Sequence, residues 1–252
     1  MEMNYVFEGK GNKTVVFVHG LNGSIEYWRA LSSILNDDYK TLLYDIRGHG
    51  DSPCGDEAFD MDMLVDDLYN LLLKLNIKKA SFVGLSLGGN IVLSFAVKYP
   101  DFVDKLVLMS TFSEIDDNLK NKLLNFRHAI NISYESFFDV IIKEVIPEGK
   151  YDEYMDSLKI VKKENAKKTN IEGIKNAIDL AFDFKITQQL NKINCQTLIL
   201  VGSDDDILSM ELTNILHTNI KNSMLVILEN TKHNVIFGDN VKKVSELLRR
   251  FL

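Results

Sequence analysis

The sequence predicts an α/β fold, in which a doubly wound, mostly parallel sheet carries an inserted helical segment. Over residues 1–112, short apolar runs alternate with amphipathic helical patterns. The same alternation resumes over residues 186–252. The segment between them, 113–185, is helical and charged and has few β-branched runs. Continuous apolar runs are typical of strands buried on both faces, and helices between them indicate right-handed crossovers that connect parallel strands.

Six apolar runs are predicted to form strands. They are Thr14–Val18, Thr41–Tyr44, Ala80–Val83, a run within Val103–Met109, Thr197–Val201 and Met224–Leu228. Helical spacing relates five leucines, which predicts one buried stripe of a helix: Leu64, Leu68, Leu71, Leu72 and Leu75. Asp60 is suited to cap this helix. Further helices are predicted over Leu87–Tyr99, Met210–Ile220 and Val241–Leu252.

The inserted segment is predicted to be broken twice. Pro147 and Gly149 would end one helical stretch and Gly173 another, because proline and glycine interrupt helices. We find no internal repeat and no low-complexity linker. The length of 252 residues therefore suits one α/β domain with an insertion.

The charge pattern argues against a nucleic-acid partner. The chain has 29 Lys and Arg against 36 Asp and Glu, a formal net charge of −7. Its short lysine runs, such as Lys162-Lys163 and Lys167-Lys168, lie among acidic and amide side chains. Duplex binding needs a concentrated basic face, since phosphate neutralisation supplies most of the affinity. We interpret these lysines as a solvated helix face.

The sequence also predicts a protein of the cytoplasm. No stretch approaches the roughly 18 uninterrupted apolar residues of a membrane span. Met1–Lys10 has neither the basic lead nor the apolar core of a signal peptide. Two cysteines, Cys54 and Cys195, do not make a disulfide framework and favour a reducing compartment. The oligomeric state stays open.

A nucleophile is predicted at Ser86. The run Gly84-Leu85-Ser86-Leu87-Gly88 matches G-x-S-x-G and lies between a predicted strand and a predicted helix. That context is typical of a nucleophile elbow, a sharp turn that lifts the serine Oγ above the sheet. The Leu87 N–H, at the helix N-terminus, would point at an oxyanion formed there.

A serine hydroxyl needs a base, and His233 is the candidate. It lies in a loop after the strand Met224–Leu228, where open α/β sheets place their sites. His217 falls inside a predicted helix and is expected at the surface. The acid should follow the preceding strand, where Asp204, Asp205 and Asp206 are adjacent. Local rules leave the choice among these three aspartates open.

Taken in order, these motifs resemble the α/β-hydrolase family over nearly the whole chain. His19-Gly20 follows the first predicted strand, and Asp45–Ser52 resembles the family's D-x-R-G-x-G-x-S segment. The elbow, an acid turn that begins at Gly202 and the loop of His233 come next. Each motif is modest alone, and their order makes the resemblance strong.

The resemblance implies further roles. Asp205, the third residue after Gly202, would be the acid, and Leu21, after the His-Gly pair, would supply the second oxyanion N–H. Residues 113–185 would be the family's lid, and residues 1–112 and 186–252 its core. The Asp45–Ser52 segment is structural in the family, so Arg47 and His49 receive no chemical role. One departure is that Ile207-Leu208-Ser209 stands where the family often has proline.

The predicted reaction is acyl transfer to water on a small-molecule acyl substrate, with no metal or organic cofactor. Lactonase, thioesterase and C–C bond hydrolase activities occur on the same fold, as do lyases, peroxidase-like enzymes and non-catalytic binding proteins. Asn90 stands where some anion-handling relatives carry arginine, and Arg127 is the only arginine of the insertion. We therefore expect an uncharged, mainly apolar acyl group. Five phenylalanines could line its pocket or simply form the core of the insertion: Phe126, Phe137, Phe138, Phe182 and Phe184.

Overall fold

The computed structural model describes the backbone of all 252 residues and every side chain except that of Glu148. Seven strands form one sheet in the order β1-β3-β2-β4-β5-β6-β7, and every neighbouring pair is parallel except β1 with β3. The predicted fold class is confirmed. The strands are β1 (Tyr5–Gly9), β2 (Thr14–Val18), β3 (Lys40–Tyr44), β4 (Ala80–Leu85), β5 (Val103–Met109), β6 (Gln196–Gly202) and β7 (Ser223–Leu228).

Nine α-helices connect the strands or extend from them in the described chain. They are α1 (Arg29–Leu35), α2 (Met61–Lys74), α3 (Leu87–Lys98), α4 (Asp117–Ile132), α5 (Tyr134–Val145), α6 (Glu148–Lys168), α7 (Ile171–Phe182), α8 (Met210–Asn219) and α9 (Asn240–Phe251). The Asp60 side chain accepts the Met63 N–H and caps α2, as predicted. Among the described residues, no helix combines the length and the hydropathy that a bilayer crossing requires.

The sheet is covered on both faces, which explains its continuous apolar runs. Along β2, Val16 and Val18 belong to the core on one face, whereas Val15 and Phe17 belong to the core on the other. The first core includes the leucines of α2 and the apolar residues of α3. The second includes Leu31 of α1 and its neighbours from α9. All four strand residues are fully buried.

Strand register brings the loops that follow four parallel strands to one edge of the sheet. Val18 pairs with Gly84, Leu85 with Met109, and Gly202 with Leu228. The segments after β2, β4, β6 and β7 therefore begin side by side, although they lie far apart in sequence. This is the edge where open α/β sheets bind ligands.

The helical insertion, residues 113–185, contains α4 to α7 between β5 and β6. Three breaks separate these helices. The break at Ser133, between α4 and α5, was not predicted. The break at Pro147 was predicted, whereas Gly149 already belongs to α6. The prediction that Gly173 breaks the helix is wrong. The last break falls at Asn170, whose side chain caps α7 by accepting the Gly173 N–H at 2.9 Å.

Gly173 serves close packing instead. A Cβ at this position would lie 2.2 Å from the Gly48 carbonyl oxygen, far inside van der Waals contact. Glycine lets the first turn of α7 rest against the backbone of the loop after β3. The insertion is thereby seated directly on the core.

Candidate active site

The turn at Ser86 holds the backbone strain that an elbow needs. Its φ of 52° and ψ of −118° lie outside the regions that side-chain-bearing residues normally adopt. Neighbouring groups hold this conformation. The Ser86 N–H donates to the Met109 carbonyl at 2.9 Å, and the Thr111 hydroxyl donates to the Ser86 carbonyl at 2.8 Å. The strained serine is therefore fixed to the end of β5.

The helix after the serine lies very close to β2. A Cβ on Gly88 would lie 2.1 Å from the Val18 carbonyl oxygen. Only glycine allows this approach, which explains the last position of the G-x-S-x-G motif. The approach also brings the N-terminus of α3 beside the loop after β2, where the second predicted oxyanion N–H lies.

Leu21 and Leu87 are the two predicted oxyanion donors. Leu87 is the first residue of α3, where N–H groups have no acceptor within the helix. Leu21 lies in a tight turn closed by a hydrogen bond from the Gly23 N–H to the Gly20 carbonyl, 3.0 Å long. Asn22 completes this turn with a positive φ of 60°, which asparagine tolerates better than most residues.

His19 fixes the start of the same loop. Its Nε2 accepts the Ile46 N–H at 3.1 Å, so Nδ1 carries the proton and donates to the Gly20 carbonyl at 2.9 Å. The ring is fully buried, and burial lowers its pKa despite the nearby carboxylate of Asp45. A neutral imidazole with both nitrogens used has a structural role here.

His233 pairs with Asp205 and not with the other two aspartates. Its Nδ1 lies 2.8 Å from Asp205 Oδ2 and 3.1 Å from Oδ1. Asp204 instead accepts the Ser203 hydroxyl at 2.9 Å, and Asp206 Oδ2 lies 3.1 Å from Lys232 Nζ. The geometry thus separates three residues that local sequence rules left equivalent.

The chain has Ile207-Leu208-Ser209 where the family often has proline, and this difference has a structural consequence. The N–H groups of Ile207 and Leu208 both donate to Asp205 Oδ1 at 3.0 Å, which a proline nitrogen could not do. Burial alone would raise the pKa of Asp205. The charge and hydrogen bond of His233 and these two N–H groups outweigh burial, so the pKa lies below its ordinary value.

The candidate residues meet at a cavity of about 290 Å³. Ser86, His233, Leu21 and Leu87 line it, and Asp205 lies behind the histidine. Most of the remaining wall is apolar and comes from the insertion: Leu119, Leu123, Phe126, Phe138, Ile141, Ile142, Val145, Leu158, Val161, Ala177, Ile178 and Ala181. Among the described lining residues there is no Asp, Glu, Lys or Arg.

The insertion's phenylalanines divide between the two predicted roles. Phe126 and Phe138 line the cavity. Phe137 is fully buried against Phe126, and Phe184 packs on Phe112 outside the insertion. Both interpretations of these residues therefore hold, for different members.

Arg127, Asn90 and His217 also have defined positions. Arg127 pairs with Asp179 at 2.7 Å rather than lining the cavity. Asn90 lines the cavity but donates to the Phe112 carbonyl at 2.7 Å, which commits part of its amide to structure. His217 is exposed on α8, as expected.

The side chains of the Asp45–Ser52 segment hold neighbouring parts of the core together through hydrogen bonds. Asp45 accepts the N–H groups of Ile25 at 2.7 Å and Asp51 at 2.9 Å. Arg47 makes two 2.7 Å hydrogen bonds to the buried carboxylate of Asp67. These contacts are consistent with the absence of a chemical role for Arg47.

Several polar groups at the cavity were not predicted from the sequence. Asn22, Tyr27 and Asn234 line it, and the Tyr27 hydroxyl donates to Asn234 Oδ1 at 2.6 Å. Asn234 follows His233 directly, so adjacency was the one available signal. Among the described side chains, no group of three or more His, Cys, Asp or Glu is arranged to hold a metal ion.

Comparison with known proteins places this geometry in a family. Residues 13–239 match the model of the alpha/beta hydrolase fold. The chain is 27% identical over 269 aligned positions to proline iminopeptidase of Saccharolobus solfataricus, covering 96% of this chain and 85% of that protein. It is 26% identical over 272 positions to the non-heme chloroperoxidase CPO-A1 of Kitasatospora aureofaciens, covering 98% and 95%.

A solved structure shows the same fold at lower identity. The enol-lactonase from Burkholderia xenovorans LB400 superposes with a TM-score of 0.89 and 19% identity, covering 99% of this chain and 95% of that one. These relatives are named for different reactions. The comparisons therefore support hydrolase chemistry in general and leave the substrate to be argued from the cavity.

Proposed function

Because the chain belongs to the α/β hydrolase fold family, we propose that it is a serine hydrolase that cleaves a carboxylic ester or related acyl compound through an acyl-enzyme. The observation that carries the proposal is one cavity lined by Ser86, His233, Leu21 and Leu87, with Asp205 bonded to the far side of the imidazole. Nucleophile, base, acid and oxyanion donors thus come from four separate loops to one place.

The mechanism follows from these groups. Ser86 Oγ attacks the carbonyl carbon while His233 takes the hydroxyl proton, and the same proton then passes to the leaving group. Asp205 orients the imidazole and stabilises its cationic form. The N–H groups of Leu21 and Leu87 hold the oxyanion, each lowering the barrier by about 3 kcal/mol. Water, activated by His233, then releases the acid and restores the serine.

The cavity supports an uncharged, mainly apolar acyl group. An ionised carboxylate would lose its hydration on entry and would find no cation among the described lining residues. The two phenylalanines and the aliphatic side chains of the insertion instead offer dispersion contacts and exclude water. A cavity of this kind distinguishes the chain from α/β hydrolases that act on acidic substrates.

We assign residues 113–185 the role of a lid over a core formed by residues 1–112 and 186–252. Helices α4 to α7 supply most of the apolar wall of the cavity. The catalytic groups come from loops of the sheet. Chemistry and acyl selection would therefore reside in different parts of the chain.

The proposal is tested by activity on p-nitrophenyl esters from acetyl to dodecanoyl, beside a matched panel of lactones and thioesters. We expect steady release of p-nitrophenol, with apolar acyl groups preferred over acyl groups that carry a carboxylate. Hydrolysis confined to lactones or thioesters would move the assignment to those classes. An absence of turnover on every substrate would contradict the proposal and favour a binding protein that keeps the fold.

A further inference from the structure

One hydrogen bond joins the insertion to the loop that carries Leu21. The Tyr134 hydroxyl donates to Asn22 Oδ1 at 3.2 Å, across 112 positions of sequence. Tyr134 is the first residue of α5, and only 2% of it is exposed. Asn22 follows Leu21 directly and occupies the left-handed position of the turn from Gly20 to Gly23.

The orientation of this turn sets the direction of the Leu21 N–H. The Leu21 N–H belongs to the peptide that joins Gly20 to Leu21, and the next peptide joins Leu21 to Asn22. A shift of Asn22 therefore changes the backbone angles of Leu21 and with them the direction of this N–H. A donor stabilises an oxyanion only when it is aimed at the position where the charge develops. A side chain that holds Asn22 therefore acts on the oxyanion hole without touching the substrate's carbonyl.

Tyr134 is itself held next to a residue of the cavity wall. The Ser133 side chain accepts the Ser136 N–H at 3.1 Å and caps α5. The ring of Tyr134 packs near that of Phe138, with centroids 6.1 Å apart, and Phe138 lines the cavity. An acyl chain in the cavity would press on the same helix that carries the hydroxyl.

We propose, building on the proposed function, that Tyr134 is a positioning residue that fixes the Leu21 N–H through Asn22. The oxyanion hole is then complete only when α5 is docked on the turn. An acyl chain that fills the cavity and packs against α5 favours this docked state. Binding energy from the acyl chain then stabilises the state in which the oxyanion hole is complete. Longer acyl groups therefore raise kcat as well as lowering KM.

The test is a double-mutant cycle with Tyr134→Phe and Asn22→Gly. Phenylalanine keeps the ring and removes the hydroxyl, and glycine keeps the positive φ while removing the amide. Tyr154→Phe is the matched control, because its ring lies on α6 against Phe237 and outside the cavity wall. Each variant is measured on the p-nitrophenyl ester series, with its melting temperature recorded.

We expect Tyr134→Phe to lower kcat about tenfold with KM within about twofold, since complete loss of an oxyanion donor costs about 10² to 10³. The rise of kcat with acyl length should flatten, while the trend in KM persists. The double variant should lose no more than Asn22→Gly alone, because both changes remove one interaction. Tyr154→Phe should match the parent.

Other results overturn the inference. The first is a kcat for Tyr134→Phe within twofold of the parent, and the second is an effect on KM alone. The third is a double variant in which the kcat losses of the two single variants multiply. If the parent hydrolyses none of the esters, lactones or thioesters, the proposed function fails and this inference falls with it. If the parent is active and Tyr134→Phe is unchanged, only the inference fails.

Discussion

Asp205 is held almost entirely out of solvent against His233, with Oδ2 2.8 Å from Nδ1 and 1% of its side chain exposed. Its two acidic neighbours behave differently. Asp204 is exposed, and 59% of the Asp206 side chain is exposed beside Lys232. Only one of the three consecutive aspartates therefore contacts the imidazole, and substitutions can distinguish its role from that of its neighbours.

Replacing each aspartate with asparagine should separate the acid from its neighbours. Asp205→Asn keeps the shape but favours the wrong imidazole tautomer, which costs about 10⁴ in turnover in a comparable triad. Asp204→Asn and Asp206→Asn should each change turnover by less than about tenfold, through local charge. The three variants are compared at one pH on one ester. A crippled Asp204→Asn or Asp206→Asn beside a nearly normal Asp205→Asn would refute the assignment.

Turnover should rise with pH, because His233 accepts the Ser86 proton only when neutral. Asp205 should add no second pH dependence between about pH 5 and 8, since its lowered pKa keeps it ionised. His19 and His49 add none either, because burial lowers both pKa values, that of His49 to about 3. A rate profile that is flat between about pH 5 and 8 would exclude a histidine base.

Removing aromatic bulk from the cavity wall should shift acyl preference toward longer chains. Phe126→Ala and Phe138→Ala enlarge the cavity, whereas Phe182→Ala alters the insertion outside it. The measurement is kcat/KM across the p-nitrophenyl ester series, with covalent labelling of Ser86 as a check on the catalytic groups. If all three variants retain the parent's preference, the insertion does not line the acyl site.

His49 should make folding stability depend on pH. Burial lowers its pKa from 6.5 to about 3 in the folded state. The unfolded chain therefore binds the proton more readily, and stability that is intact above about pH 6.5 is lost as the pH falls. Between pH 6.5 and 5 the loss is roughly 2 kcal/mol.

This loss is measured by urea unfolding at pH 7 and pH 5. His49→Gln should lose less stability on acidification than the parent, by about the same 2 kcal/mol. His217→Gln removes an exposed histidine and should follow the parent. Equal losses in all three proteins would show that His49 is not the group responsible.

The sequence was most informative where a local pattern carries its own physical reason. Six strands could be predicted from their apolar runs, and in β2 to β6 most of each run is buried. β7 is also apolar, although it lies at the edge of the sheet and exposes Met224 and Ile227. Ser86 was recognisable because a strained turn beside β2 demands small neighbours. β1, Tyr5–Gly9, was missed because it is an edge strand with half-exposed side chains, and its only sheet partner is β3, far along the chain.

Other features depend on contacts that no local pattern contains. Gly173 looked like a helix breaker, but the Gly48 backbone beneath it explains the residue better. The choice of Asp205 needed either the family resemblance or the distance to His233 in the folded chain. The bond between Tyr134 and Asn22 joins residues whose types and positions give no sign of one another.

The most direct test of the central claim is covalent labelling by a fluorophosphonate, which reacts with a serine only when base and oxyanion donors activate it. The parent and Ser86→Ala are incubated with the probe, digested and mapped by mass spectrometry, and their ester turnover is measured alongside. We expect the parent to carry one adduct, on the peptide that contains Ser86. We expect neither labelling nor measurable turnover in Ser86→Ala. Labelling at another residue, or turnover in Ser86→Ala within about tenfold of the parent, would contradict the central claim, because loss of a nucleophile costs several decades.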